Sequence, residues 1–380
     1  MTETVEKVDI LIVGAGPVGM TLHLALAAGG QASLLIDRGP ALAAQADPRV
    51  LALSHGARQL LEQIDSWPMR AATPIETIHI SQQDGFGRTL MDRADLALPA
   101  LGYVLRYRDL AAKLAAKLHA GARLDETEIL AIVPGDDGIA VSLRRAGQTR
   151  KLRCQLLVHA EGTPAAEPGV SVRDYGQQAV ICELTPKPGH GRRAWERFTA
   201  DGPLALLPLG DEYSVVFTLP PAKADAVMAL DDDAFCATVQ AQFGRRLSFS
   251  NPSPRHRLPL ALRLRETLVR DREVWIGNAA QTLHPVSGQG FNLGLRDAWQ
   301  LAATVLADGL DPAGLRRYAA GRQVDRRASA AFTDSVVKTF SNDFPPLKLA
   351  RGLGLLALDL CPAARHFVAR RMIWGARAWP

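Results

Sequence analysis

Short apolar runs bounded by glycine, proline or aspartate dominate the chain up to about residue 276, and helical spacing dominates after it. Val8–Val13 (VDILIV) is a continuous apolar run of the length and β-branched content expected of a buried strand. Met20–Ala28 carries helix formers with a small-residue face, and Ser33–Ile36 reads as a second short strand. A helix starting at Ser54 or His55 and ending near Ile64 comes next, with Arg49 in the loop before it. Glu76–Asp92 alternates apolar and polar positions around Asp84-Gly85, which predicts a hairpin. Tyr107–Leu118 has helical amphipathicity, and strand-like runs follow at Ile129–Val133, Ile139–Leu143 and Leu152–Val158. Further strands up to Leu219, with turns at Asp201-Gly202 and Gly210-Asp211, predict an antiparallel sheet. Asp231, Asp232 and Asp233 are expected to cap a helix reaching about Phe243, because adjacent carboxylates cannot converge on a metal without other ligands. Val274–Ile276 is a last strand. Leu293–Leu306, Pro312–Phe340 and two apolar, basic segments from Phe344 onward read as helices.

Composition narrows the classes. A chain of 380 residues exceeds one ordinary core and predicts two domains, and 47% hydrophobic with 22% charged residues is globular. The net charge of +5 is modest, and no basic block is interleaved with aromatics, so nucleic acid is not an expected partner. Cys154, Cys182, Cys236 and Cys361 are widely spaced, without a C-x-x-C pair, so no metal centre or dithiol is expected. The polar start MTETVEK does not read as a signal peptide, and no apolar run is long enough to span a bilayer; a cytoplasmic protein is expected.

The strongest local chemistry is Gly14-Ala15-Gly16-Pro17-Val18-Gly19, set between a predicted strand and a predicted helix, with Asp37 at the end of the following strand. In that context G-x-G-x-x-G is a dinucleotide fingerprint. Gly14 makes the tight turn, Gly16 lets a pyrophosphate approach the backbone, and Gly19 lets the helix pack on the strand. The helix N-terminus presents amides and a positive dipole end to phosphates, and Asp37 can accept ribose hydroxyls.

A second segment, GNAAQTLHPVSGQGFNLGLRD (Gly277–Asp297), combines glycines, asparagines and a His-Pro pair immediately before a helix. With Gly14–Gly19 and the mid-chain VHAEGT (Val158–Thr163), and with RDYGQQAV and ERFTADGPLALLPL beside them, it makes the chain resemble the flavoprotein aromatic monooxygenases related to para-hydroxybenzoate hydroxylase. The similarity is greatest to their ubiquinone-biosynthesis branch, the polyprenylphenol hydroxylases of UbiH, UbiF and VisC type, and extends over nearly the whole chain. Two positions depart from the wider pattern: Glu161 stands where Asp is usual, and Asn278 where the superfamily has Asp.

The resemblance implies an α/β fold: a Rossmann-like FAD-binding domain of the glutathione-reductase type, an inserted antiparallel-sheet substrate domain, and C-terminal helices. The FAD domain is expected from residues 1–72, 96–166 and 268–340, the substrate domain from 73–95 and 167–267, and the terminal helices from 341–380. It implies FAD as cofactor and NAD(P)H as co-substrate. The activity it implies is hydroxylation of a polyprenylated phenol by O₂ through a flavin hydroperoxide. FAD would be held by Gly14, Gly16, Pro17, Gly19, Asp37, Arg49, Arg106, Glu161, Gly162, Asn278, Pro285, Gly288, Gly290, Phe291 and Asn292. Asn278 would meet the ribityl chain, and the backbone at Gly288, Gly290 and Asn292 the pyrimidine end of the flavin. Pro285 would shape the ring's front face, and His284 is the candidate acid or base, against a purely structural role. Arg106 or Arg108 is the alternative arginine for the phosphates, and Gln281 and Gln289 are open between the same two kinds of role.

The sheet-rich insertion is expected to roof the substrate pocket. Its runs Leu204–Leu207 and Val215–Leu219 suit a greasy substrate or, equally, core packing. The tail, with Trp374 and Trp379, would either touch the inner-membrane surface or another ubiquinone-biosynthesis protein, or simply close the FAD domain. A hydroxylase of another soluble phenol, a prenyl-lipid reductase and a flavin-binding scaffold with little catalysis remain the alternatives.

Overall fold

A computed structural model of the chain describes residues 6–164, 166–340 and 344–375, with only the backbone at Ser287 and Pro345; Trp379 lies outside the described residues. β1 (Glu6–Val13) runs from exposed Glu6 into Ile10, Leu11 and Ile12, which are fully buried. The chain turns at Gly14 into α1 (Pro17–Ala28), returns through β2 (Leu34–Ile36), and forms β3 (Val50–Ser54). Ser54 then caps α2 (His55–Gln63) by accepting from the Ala57 amide at 3.1 Å. β4 (Thr73–Ile75), the hairpin β5 (Thr77–Gln82) and β6 (Arg88–Asp92), β7 (Gly102–Arg106), α3 (Tyr107–Ala115) and β8 (Arg123–Leu124) follow. Three long strands come next: β9 (Thr127–Gly135), β10 (Gly138–Arg145) and β11 (Gln148–His159).

The next stretch holds β12 (Val170–Lys187), β13 (Arg193–Phe198), β14 (Pro203–Leu209), β15 (Glu212–Leu219), α4 (Pro221–Met228) and α5 (Asp232–Phe243). Asp231 caps α5 through the Ala234 amide at 2.8 Å, which is the task of the aspartate run. Short strands β16 (Ser248–Ser250), β17 (His256–Arg265), β18 (Val269–Arg270), β19 (Glu273–Trp275) and β20 (Gln281–Thr282) lead to four helices. These are α6 (Gly290–Asp308), α7 (Pro312–Phe340), α8 (Pro345–Leu360) and α9 (Pro362–Trp374).

The described strands form three sheets. The first has the order β18-β19-β11-β1-β2-β8, with β9 and β10 hung on β11 as an antiparallel ribbon. β1 is parallel to both β2 and β11, and β11 is parallel to β19, the pairing of an α/β dinucleotide fold. α1 is sandwiched between this sheet and α6, so it is apolar all round, with Met20, Leu22 and Leu26 at 1% exposure or less. The second sheet, β20-β17-β12-β15-β14-β13-β5-β6, is antiparallel except at β13/β5. The hairpin at residues 77–92 therefore joins the same sheet as residues 170–265. A three-stranded sheet, β3-β7-β4, lies apart from both.

In β13, β14 and β15 period-two alternation divides the apolar runs between two faces. Leu204, Leu206, Val215, Phe217 and Leu219 pack on α4 and α5 in one core. Ala205, Leu207 and Val216 turn to the opposite face, where a cavity lies. These runs therefore supply core packing on one face and cavity lining on the other.

Candidate active site

At the turn after β1, Gly14 takes φ +102°, and its amide donates to the Ile36 carbonyl at 2.8 Å. A Cβ there would stand 2.5 Å from the Ala160 carbonyl oxygen, so the loop after β11 lies directly against the turn. A Cβ on Gly19 would stand 2.0 Å from the Gly14 oxygen. Gly16 differs: its φ of −72° suits any residue, and the atom nearest to a Cβ there is the Tyr107 hydroxyl, at 3.2 Å. No side chain caps α1, and Pro17 occupies its first turn, which leaves the helix N-terminus open for an anion. Asp37 lies beside this turn, its carboxylate accepting from the Ala15 amide at 2.7 Å and the Gly39 amide at 2.8 Å.

Arg49 reaches the same place through Tyr107: its guanidinium sits 4.5 Å over the Tyr107 ring while it pairs with Asp47 at 2.5 Å. Arg106 does not. Its guanidinium is taken by Glu183 and, at 3.6 Å, Glu212, at the seam with the second sheet. Arg108 is exposed. The N-terminus of α3 sets the Tyr107 hydroxyl beside Gly16, while Arg106 is engaged at Glu183.

Glu161 and Gly162 follow β11 directly, and the longer side chain of Glu161 has a partner: its carboxylate lies 3.3 Å from His159 Nδ1. His159 Nε2 lies 3.1 Å from Glu273, and the ring stacks on Trp275 at 4.9 Å. Burial alone would lower the His159 pKa, but its hydrogen bonds to Glu161 and Glu273 raise it to about 9. Thr163 in the same loop contacts Asn278 at 3.4 Å and Thr282 at 3.2 Å, so the mid-chain and late segments meet here.

Val18, in the first turn of α1, seats in a notch formed by Gly277 and Gly294. A Cβ on Gly277 would be 3.2 Å from Val18, and one on Gly294 would be 3.1 Å from both Val18 and the Gly277 Cα. The notch brings the end of β19 and α6 against the glycine turn. Asp297 fixes this contact. It accepts from the Gly277 amide at 3.0 Å, Gln281 Nε2 at 2.6 Å and Arg322 Nε at 2.7 Å. Arg322 pairs in turn with Asp325, and Arg296 joins Asp325 from α6, each at 2.9 Å. Asp297 and Arg322 are both 2% exposed.

Asn292 fixes the other end of the loop. Its Oδ1 accepts from the Ser54 amide at 2.8 Å, and its Nδ2 donates to the Ala52 and Gly288 carbonyls at 3.0 and 2.8 Å. The backbone at Gly288, in the left-handed region at φ +58°, is thereby laid over the end of β3. Phe291 packs on the core beneath, while nothing lies near Gly290. The N-terminus of α6 has no side-chain cap.

His284 holds the loop from inside. Its Nδ1 accepts from the Val286 amide at 3.2 Å, its ring meets Tyr175 edge-on at 5.2 Å, and burial pushes its pKa down to about 4. It is uncharged at neutral pH and does not line the cavity described next. Gln281 is bound to Asp297, and Gln289 Nε2 to the Met372 carbonyl at 3.0 Å.

A cavity of about 360 Å³ begins at this loop. Ala52, Ser54, Pro285, Gly288 and Asn292 form one part of its wall, and the inner face of β5, β13, β14 and β15 another. The remainder comes from Phe332 and Phe340 of α7, Leu355 and Leu358 of α8, and Ala369, Met372 and Ile373 of α9. The lining is almost wholly aliphatic and aromatic. The second sheet is therefore one wall, and the C-terminal helices supply the cover that was expected of the sheet. They are tied on by Thr89 Oγ1 to the Leu355 carbonyl at 2.7 Å, Asp359 to the Leu90 amide at 2.9 Å, and Arg365 to Asp95 at 3.0 Å.

The sequence profile described as "FAD binding domain" matches residues 7–333. The ubiquinone hydroxylase UbiL of Rhodospirillum rubrum is 34% identical, over 98% of this chain and 91% of its own length. The 3-demethoxyubiquinol 3-hydroxylase of Escherichia coli is 30% identical, over 94% of this chain and 96% of its own. Among solved structures, p-nitrophenol 4-monooxygenase PnpA from Pseudomonas putida superposes over 98% of this chain and 100% of its own, with a TM-score of 0.78 at 15% identity.

Proposed function

Because the chain belongs to the FAD binding domain family, among the flavoprotein monooxygenases that include the ubiquinone hydroxylases, we propose that it hydroxylates the ring of a polyprenylated phenol in ubiquinone biosynthesis. It is an FAD-dependent oxidoreductase. FAD, reduced by NAD(P)H, supplies the activation of O₂ from which one oxygen atom goes to the ring. The residues present suit the cofactor. Gly16 leaves a bare backbone at an uncapped helix N-terminus for the pyrophosphate, and Asp37 stands beside it for the ribose. Arg49 and Tyr107 would flank the phosphates, with Gly14, Pro17 and Gly19 shaping the turn beneath them. Glu161, Gly162 and Asn278, brought together where the loop after β11 meets the late segment, would hold the ribityl chain. Gly288, Gly290, Phe291 and Asn292 lie at the uncapped N-terminus of α6, whose positive dipole end would favour negative charge on a reduced flavin held there. Pro285 borders the substrate side, and Asn292 serves by holding Gly288 over β3. Arg106, held by Glu183, is left out of this assignment.

One observation carries the reading: an apolar cavity continues from the Pro285–Asn292 segment to the sheet and is bounded by α7, α8 and α9. Such a lining takes an aromatic ring with a hydrocarbon chain and excludes the water that would divert the oxygen. NADPH oxidation by the purified holoenzyme, measured with a prenylated phenol and with unprenylated phenols, tests it. A prenylated product one oxygen atom heavier, formed in step with NADPH, is the expected result. NADPH consumption that yields only hydrogen peroxide with every phenol would defeat the proposal.

The cover also has an outer side. Leu349, Leu353, Leu356 and Leu360 recur at helical spacing along α8 and are 38–73% exposed, beside Phe344 and Phe367. Among the described residues no single helix is long and apolar enough to cross a membrane; α8 and α9 are bent by 96°. This face is proposed to rest on the bilayer surface, where such a substrate dissolves. Because α8 and α9 line the cavity, deleting the tail would destroy the site, so point changes are the cleaner test. Leu353→Glu with Leu360→Glu is expected to keep FAD and to lower co-sedimentation with anionic vesicles at least about tenfold. Unchanged sedimentation would remove the membrane contact.

A further inference from the structure

Alternation in β13 places Ala194, Glu196 and Phe198 on the cavity face. The strand register sets Ile80 of β5 and Ala205 of β14 directly beside Glu196, and Val216 of β15 beyond Ala205. A carboxyl group therefore stands in the middle of an aliphatic wall. Its Oε1 is cut off from solvent, and Glu196 has no hydrogen-bond or ion-pair partner among the described residues. Burial alone raises its pKa to about 8, so it is protonated at neutral pH. Two other orphaned oxygens belong to the lining: Thr218 Oγ1 on β15, one strand beyond β14, and Gln289 Oε1 near Pro285. A half-buried carboxyl whose shielded oxygen has no partner is costly, and here it joins no strands, caps no helix and neutralises no cation. Its role lies with whatever fills the cavity.

We infer that Glu196 is the hydrogen-bond partner of the substrate's phenolic hydroxyl, and that this bond sets which ring carbon faces the Pro285–Gly288 segment. The inference rests on the hydroxylase reading above and adds to it the residue that recognises the ring. A neutral carboxylic acid both donates and accepts, so it can meet a phenol at two points, whereas an aryl methyl ether offers it only an acceptor. The aliphatic neighbours leave the prenyl chain without polar competition, and the carboxyl supplies the orientation that an apolar wall lacks.

The test uses the FAD-loaded enzyme and two probes, 2-geranylphenol and its methyl ether, with binding followed by the change in flavin absorbance. Wild type is expected to bind the phenol at least about tenfold more tightly than the ether. Glu196→Leu should bind FAD fully, lose that preference, leave ether binding within about twofold, and hydroxylate at mixed ring positions. Glu196→Gln, neutral and near-isosteric, should retain most of the preference. If Glu196→Leu keeps the preference, or wild type has none, the assignment is overturned while the hydroxylase reading stands. If neither probe perturbs the wild-type flavin, both fall.

Thermal stability gives an independent readout. The native carboxyl keeps its proton up to about pH 8, whereas the unfolded one releases it near 4.5, so stability is lost as pH rises between those values. The melting temperature of Glu196→Gln should therefore gain on wild type from about pH 5 to about pH 8 and hold its lead above that. A constant difference across this range would put the carboxyl in water and overturn the assignment.

Discussion

Gly16→Val is expected to give a folded, colourless protein. The extended φ of −72° at this position suits a β-branched residue, and only the tip of Tyr107 lies near a Cβ, so the turn itself survives. What is lost is the approach of the cofactor's pyrophosphate to the backbone and the helix N-terminus, for which no other group substitutes. FAD affinity should fall by about a thousandfold, roughly 4 kcal/mol. Ultrafiltration of FAD against apoprotein measures it, with circular dichroism as the control for folding. Gly19→Ala should behave differently, because its Cβ would lie 2.0 Å from the Gly14 oxygen, and no side-chain movement relieves a clash with backbone. That variant should be poorly folded before any cofactor is offered. A yellow Gly16→Val protein with wild-type affinity would place the cofactor elsewhere.

Asp297→Ala is expected to be the most damaging change remote from the cofactor. It leaves the 2% exposed Arg322 to share Asp325 with Arg296, two cations on one carboxylate, and leaves the Gly277 amide and Gln281 without their acceptor. Breaking a buried pair from one side costs about 3–5 kcal/mol, because the surviving charge is left uncompensated. Denaturant unfolding of the apoprotein should register this loss with no flavin present, which separates it from an effect on binding. The holoprotein should also lose FAD, since Asp297 pins Gly277 in the notch against Val18. Asp297→Asn retains an acceptor but not the charge and should fall between the two. An Asp297→Ala apoprotein that unfolds like wild type would show the network to be dispensable.

Several elements were written in the amino-acid order because their cause is local. The turn at Gly14 needs a left-handed residue, the aspartate run supplies a side-chain cap, and alternation in β13 to β15 sorts residues between two faces by the pleat of a strand. The FAD binding domain and its branch were legible for the same reason: three short motifs impose backbone conformations that few residues satisfy. Glu196 left a weak local mark, a carboxylate in phase with Ala194 and Phe198 on an apolar stripe, but its isolation depends on which strands flank it.

Only the tertiary structure decided what these parts meet. Asn292 bonds to Ser54 across 238 positions, and Asp297 to Arg322 on a different helix, contacts that no periodicity announces. The helix start at Tyr107 gave no sign that Arg106 would turn away to Glu183. The tail helices read either as a membrane or partner contact or as a closure of the FAD domain, since amphipathic spacing records how apolar a face is and not what covers it. In the fold, opposite faces of α8 meet the cavity and the outside. Local sequence sets dihedral preferences and the pattern of sides, whereas burial and pairing belong to the packed chain. The cofactor's cradle could therefore be read from residue order, but the cavity beside it could not.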